Sequence, residues 1–161
     1  FENSGAVLGS EEVNQLLSMD DIYFLGEMMN FPGVLAHDSE VFKKIESALS
    51  KGKPVDGHAP LLSGDDVKAY AAAGITTDHE CTTLDEALEK AKCGMLIQIR
   101  HGSAARNLDD LLPLFNFFPE KIMFCSDDHH QSDGDGKQGA DDTAEFCLVS
   151  ESKHISNRRF Q

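Results

Sequence analysis

Carboxylates and imidazoles recur along the chain at the ends of short β-type runs. Glu27 follows residues 22–25, His58 follows 54–57, His79 and Glu80 close 75–80, and Asp127 with Asp128 closes 121–128. A further run, 95–100, offers Arg100, His101 and Ser103 instead. Each residue taken singly has an ordinary reading: a histidine after a strand usually bonds its own loop, and an acid ahead of a helix stabilises its N-terminus. That reading suits Asp78, Glu80 and Asp128. Taken jointly, two imidazoles and two carboxylates at neighbouring strand ends make an N/O donor set that suits zinc, manganese or iron better than calcium or a thiolate-selected metal. Such a metal brings the pKa of a bound water from 15.7 toward about 7, and a nearby carboxylate can shuttle protons. The expected chemistry is hydrolytic attack on a carbon bearing a nitrogen or oxygen leaving group. The donor set alone does not choose the substrate.

These residues converge only if the elements carrying them are parallel. From Ile22 onward β-type and helix-type runs alternate, as βα units do. Asp38 is a plausible N-cap for a helix whose apolar set is Val41, Phe42, Ile45, Ala48 and Leu49. Ser63 heads a second helix that ends at Gly74, and Thr83 with Glu86 has the spacing of a capping box ahead of Leu84, Ala87, Leu88 and Ala91. Leu108, Leu111, Leu112 and Phe115 form the stripe of a fourth, which Pro113 makes irregular. A short capped helix around 10–18 precedes them. Five strands joined by four helices predict a parallel α/β sheet, either doubly wound or a piece of a (β/α)8 barrel. Both place functional residues at the carboxyl ends of the strands. The alternation stops beyond His130, where a Gly- and Asp-rich stretch leads to a segment without period. Residues 1–130 are therefore expected as the folded domain and 131–161 as an irregular, weakly ordered tail.

Composition narrows the function classes. Fourteen basic against 28 acidic residues give a formal net charge of −14, which repels phosphate backbones and argues against nucleic acid. No apolar run approaches the roughly 20 residues that cross a bilayer, and residues 1–10 lack a signal-peptide layout; a cytoplasmic protein without a membrane partner is expected. Cys81, Cys93, Cys125 and Cys147 form no C-x-x-C pair and are expected as reduced, mostly buried thiols. The fingerprints of serine hydrolases, phosphate loops, dinucleotide folds and cytosine-type zinc deaminases are all missing.

Five stretches taken together, GEMMNFPGVL (26–35), GKPVDGHAP (52–60), AYAAAGITTDHEC (69–81), GSAARNLDDLLPL (102–114) and MFCSDD (123–128), closely resemble the bacterial-type adenine deaminases of the amidohydrolase superfamily. The resemblance spans about residues 20–129, in order. It implies a metal-dependent TIM barrel, here roughly its last five strands, that converts adenine and water to hypoxanthine and ammonia. By position, Glu27 resembles the carboxylate bridging two metals, His58 and His79 the imidazole ligands of the next two strands, and Asp127 the aspartate that approaches a metal and accepts the nucleophile's proton. Glu80 is implied as a second catalytic carboxylate, and Ser103 and Arg106 as substrate-binding residues. The resemblance further implies a binuclear centre of manganese or iron, with zinc as an option, adenine as the small-molecule partner, and a homo-oligomeric intact enzyme. The chain departs from the family in lacking an H-x-H pair, in having Leu61 where Gly is usual, and in having His101 where Glu is usual. The segment after Asp128 does not follow the family. An isolated five-strand piece is expected to be inactive and to associate through its open edges. Another amidohydrolase, such as a cyclic amidase, and a non-catalytic remnant are the alternatives.

Overall fold

The computed structural model describes residues 5–102 and 106–127. Ser103, Asp128 and the expected tail 131–161 lie outside the described residues. Helix α1 (Ser10–Leu16) leads into strand β1 (Leu25–Met28), helices α2 (Phe31–Leu35) and α3 (Ser39–Leu49), β2 (Val55–Gly57), α4 (Gly64–Ala72), β3 (Thr77–Asp78), α5 (Leu84–Lys92), β4 (Leu96–Arg100), α6 (Leu108–Leu111), and β5 (Ile122–Cys125). Two 3-10 turns, Leu112–Asn116 and Pro119–Lys121, precede β5; Pro113 lies in the first and cannot supply the amide that α6 would need to continue.

Every pairing between the described strands is parallel. β1 pairs with β2, and β4 pairs with both β3 and β5, so strand order is sequential within each sheet. The expected parallel α/β organisation is present among the described residues, but as two sheets linked by a bridge between Val55 and Ile75. Threonine hydroxyls occupy much of that seam. Thr76 Oγ1 donates to the Val55 carbonyl at 3.0 Å, while Thr77 Oγ1 accepts from the Gly57 N–H at 3.2 Å and donates to Asp56. Gly57 permits the close approach: a Cβ there would sit 2.2 Å from the Thr77 carbonyl oxygen.

Two expectations shift. The first strand begins at Leu25 rather than Ile22, because pairing starts only where the Leu25 N–H reaches the Pro54 carbonyl at 3.0 Å; Glu27 therefore lies within β1 instead of after it. Helix α2 is absent from the sequence alternation. Pro32 opens its first turn and the Asn30 side chain accepts from the Gly33 N–H, so residues that resemble a loop start a helix.

Caps follow the sequence closely at α3, where Asp38 accepts from the Glu40 and Val41 amides, and at α5, where Thr83 accepts from the Glu86 N–H. At α4 the Ser63 hydroxyl makes no cap bond, and the Gly64 N–H goes to Glu89 of α5 instead. The core has two parts. One gathers Val34, Ile45, Val55, Val67, Tyr70 and Ile75 beneath α3 and α4; the other gathers Ala87, Ile97, Ile99, Leu111, Leu114 and Ile122 between α5, α6 and β4. Ile97 and Ile99 are fully buried, each worth about 1.5–3 kcal/mol. Of the cysteines, Cys81 is buried and Cys93 and Cys125 are half-buried free thiols, while Cys147 lies outside the described residues. No helix among the described residues is long and apolar enough to cross a membrane.

Candidate metal centre

The strands carry their polar side chains to one end. Glu27 comes from β1, His58 from the residue after β2, and His79 and Glu80 from the residues after β3. Arg100 ends β4, and Asp127 stands two residues beyond β5. Asp127 has φ +53°, a left-handed conformation that aspartate tolerates better than most residues.

Glu27 Oε2 lies 2.8 Å from His79 Nε2 and 3.1 Å from His58 Nδ1, and the two ring nitrogens are 3.2 Å apart. Glu80 Oε1 is 3.5 Å from His79 and 3.6 Å from His58. Two overlapping triads result, Glu27–His58–His79 and His79–Glu80–Asp127; within each, the donor atoms lie within 4.8 Å of one another. This donor set fits a divalent transition metal: imidazole nitrogens and carboxylate oxygens converge on one point from separate strands, with no thiolate among them. His79 is buried, so its position is fixed by surrounding structure.

Electrostatics reinforce the convergence. The hydrogen bond from His79 is the main reason Glu27 is held below the ordinary carboxylate range, against a partial burial that pushes it up. Burial works to lower the His79 pKa, yet the bond to Glu27 and the charges of Glu27, Asp56 and Glu80 outweigh it and raise the value. Asp56 on β2 lies two residues before His58, and burial pushes its pKa up although Thr77 bonds it. Gln98 Nε2 also donates to Asp56 at 2.9 Å.

Arg100 is the main residue that spacing did not assign. Its Nη1 lies 2.6 Å from both Glu80 Oε1 and Asp127 Oδ2, tying the second triad together. Burial opposes its charge, but those carboxylates raise its pKa further. The available signal was a charged residue ending the mostly apolar run MLIQIR. Tyr70 carries no such signal in the sequence. Its buried hydroxyl donates to the Met28 carbonyl at 2.8 Å and accepts from the His58 N–H at 3.1 Å, joining the Glu27 and His58 segments from behind. Of the expected substrate-binding pair, Ser103 lies outside the described residues, and Arg106 is exposed with its Nε donating to the Gly102 carbonyl at 3.0 Å. Leu61, the departure from Gly, has φ +60° and is mostly exposed; a glycine would adopt that conformation freely.

No protein-family model matches the chain. Over 130 residues it is 55% identical to an adenine deaminase of Salinibacter ruber, an overlap covering 81% of this chain and 24% of that protein. An adenine deaminase of Parabacteroides distasonis is 53% identical over 132 residues, or 82% of this chain and 24% of that protein. One from Methanosarcina barkeri is 53% identical over 130 residues, with 81% and 24% covered. The chain thus spans about a quarter of the length of these curated relatives. Identity at this level over four-fifths of the chain, on a parallel α/β frame with converging imidazoles and carboxylates, makes the chain a segment belonging to the adenine deaminase family.

Proposed function

We propose that the protein containing this segment hydrolyses adenine to hypoxanthine and ammonia, and that Glu27, His58 and His79 hold a divalent transition metal for that reaction. The observation that carries the reading is the meeting of these three donors at 2.8–3.2 Å. Their N/O chemistry favours manganese or iron, with zinc also compatible. When bound, the metal would supply Lewis acidity and a water nucleophile that is acidic at neutral pH. Asp127 accepts the proton of the attacking water, and Glu80 passes a proton toward the departing amine; Arg100 holds both carboxylates in place. C6 of adenine gains the oxygen as its C–N bond breaks, and the amine leaves as ammonia. Ser103 and Arg106 are assigned to the purine pocket.

The frame supporting this is a partial TIM barrel: parallel strands in sequential order, with a bridge connecting the two sheets, suit an arc of a barrel better than a doubly wound sheet with its strand-order reversal. The described residues form that arc, and in sequence 131–161 diverges from the family. The intact enzyme is assigned to the cytoplasm as a homo-oligomer, and its net charge of −14 in this segment disfavours nucleic acid. The names of the relatives favour adenine over the ring amides of a cyclic amidase.

A chimera tests the proposal. Residues 5–127 replace the matching segment of the Salinibacter ruber enzyme, and adenine loss is followed in the ultraviolet with Mn²⁺ present. Deamination that disappears with Glu27→Gln is expected. A folded, metal-loaded chimera that ignores adenine but opens hydantoin or dihydroorotate would establish the cyclic amidase reading instead.

A further inference from the structure

Behind the imidazoles lies a cluster that the proposed chemistry does not use. Lys90 on α5 is fully buried, as is Asp78, and Glu86 is nearly so. Lys90 Nζ donates to Asp78 Oδ2 at 3.1 Å, to Glu86 Oε1 at 2.8 Å and to the Ala59 carbonyl at 2.6 Å. Burying such a charge is costly, and pairing it roughly breaks even against an apolar side chain of similar volume. Net stability is therefore a poor account of it.

Its partners suggest another. Asp78 Oδ2 accepts from the Ala59 N–H at 3.0 Å, and Asp78 Oδ1 accepts from the Glu80 N–H at 2.6 Å. Ala59 directly follows His58, and Glu80 directly follows His79. One carboxylate therefore clips the backbone on the C-terminal side of both imidazoles. Glu86 accepts from the Leu61 N–H at 2.9 Å and the Thr82 N–H at 3.2 Å, fastening the same two loops a few residues further on. Lys90 joins the two carboxylates and adds the Ala59 carbonyl.

We infer that Asp78, Glu86 and Lys90 are positioning residues that set the separation and direction of His58 and His79 by holding the loops after β2 and β3 to one buried charge cluster. The inference rests on the metal-binding reading of those histidines. It differs from a structural role in what it requires. A structural cluster changes how much chain is folded; a positioning cluster changes the geometry offered to the metal by chain that is already folded.

Co²⁺ serves as the probe, because its visible d–d bands report coordination geometry. The chimera carrying residues 5–127 and its Lys90→Met, Asp78→Asn and Lys68→Met variants are titrated with Co²⁺, with folding followed separately by circular dichroism. Lys68 is exposed and pairs with exposed Asp65, so its variant should match the parent. The folded Lys90→Met and Asp78→Asn chains should bind Co²⁺ about 10–100-fold more weakly, the range for residues that orient metal ligands from behind, with altered bands. Asp78→Asn is isosteric and keeps the test available if Lys90→Met does not fold. Parental affinity and spectrum in the folded variants would overturn the inference while leaving the metal reading intact. A folded parent chimera that binds no Co²⁺ would overturn both.

Discussion

Replacing Tyr70 by Phe removes a single oxygen and asks whether it holds β1 to β2 behind the candidate site. The ring is fully buried, so the apolar surface withdrawn from water barely changes. A phenol is already protonated at neutral pH, and burial raises its pKa further, so the hydroxyl is a donor there. Its loss leaves the Met28 carbonyl, 2.8 Å away in a residue 6% exposed, without this donor. An unsatisfied buried acceptor costs about 1–3 kcal/mol. The His58 N–H, at 3.1 Å and only partly buried, can recover a water, so its share is about 1 kcal/mol. The sum is a loss of about 2–4 kcal/mol. Urea unfolding followed by far-ultraviolet circular dichroism measures it, with Tyr23→Phe as control; Tyr23 is 73% exposed, and its variant should stay within about 0.5 kcal/mol of the parent. If Tyr70→Phe costs no more than Tyr23→Phe, the hydroxyl does not join the two strands and the reasoning fails.

Protons and metal compete for His79 Nε2, and the raised His79 pKa moves that competition upward from the ordinary 6.5. Co²⁺ affinity should increase with pH through a midpoint above 6.5, and a midpoint at or below it would contradict the Glu27–His79 pairing. Without metal, the same pair stabilises the fold in a pH window. The Glu27 share is present above 4.5 and lost as pH falls through its lowered pKa; the His79 share is full below 6.5 and lost as pH rises through its raised one. Gly57→Ala should cost about 3 kcal/mol or more in urea unfolding, because the new methyl would meet the Thr77 carbonyl at 2.2 Å and Ile75 Cγ2 at 2.7 Å. A cost under about 1 kcal/mol would mean the β2–β3 seam is looser than described. Leu61→Gly should instead stabilise by about 0.5–1 kcal/mol: it relieves a left-handed φ of +60° and sacrifices little burial, since Leu61 is 76% exposed. Thermal melting that shows destabilisation would refute this.

Much of this protein was readable from spacing alone. The apolar sets at 41–49 and 84–91 have one partner arrangement that buries them, and Asp38 and Thr83 sit where free helix amides need acceptors, so α3 and α5 were determined locally. The convergence of Glu27, His58 and His79 was legible because each stands at or near a strand's carboxyl end, and parallel strands bring such ends together whatever their separation along the chain. Tertiary structure decided the rest. Strand β1 starts at Leu25 because its partner offers the Pro54 carbonyl there, which no reading of 22–25 reveals. Glu86 has capping-box spacing with Thr83, but its side chain turns to Leu61 and Thr82, where a second loop offers amides. Lys90 stands four residues after Glu86, a spacing that leaves its burial open; it is buried because Asp78 and the Ala59 carbonyl surround its ammonium group. Arg100 gained its role the same way, from two carboxylates on separate loops. Sequence specifies the donors one at a time, whereas the field each donor feels is set by charges that only folding brings within reach.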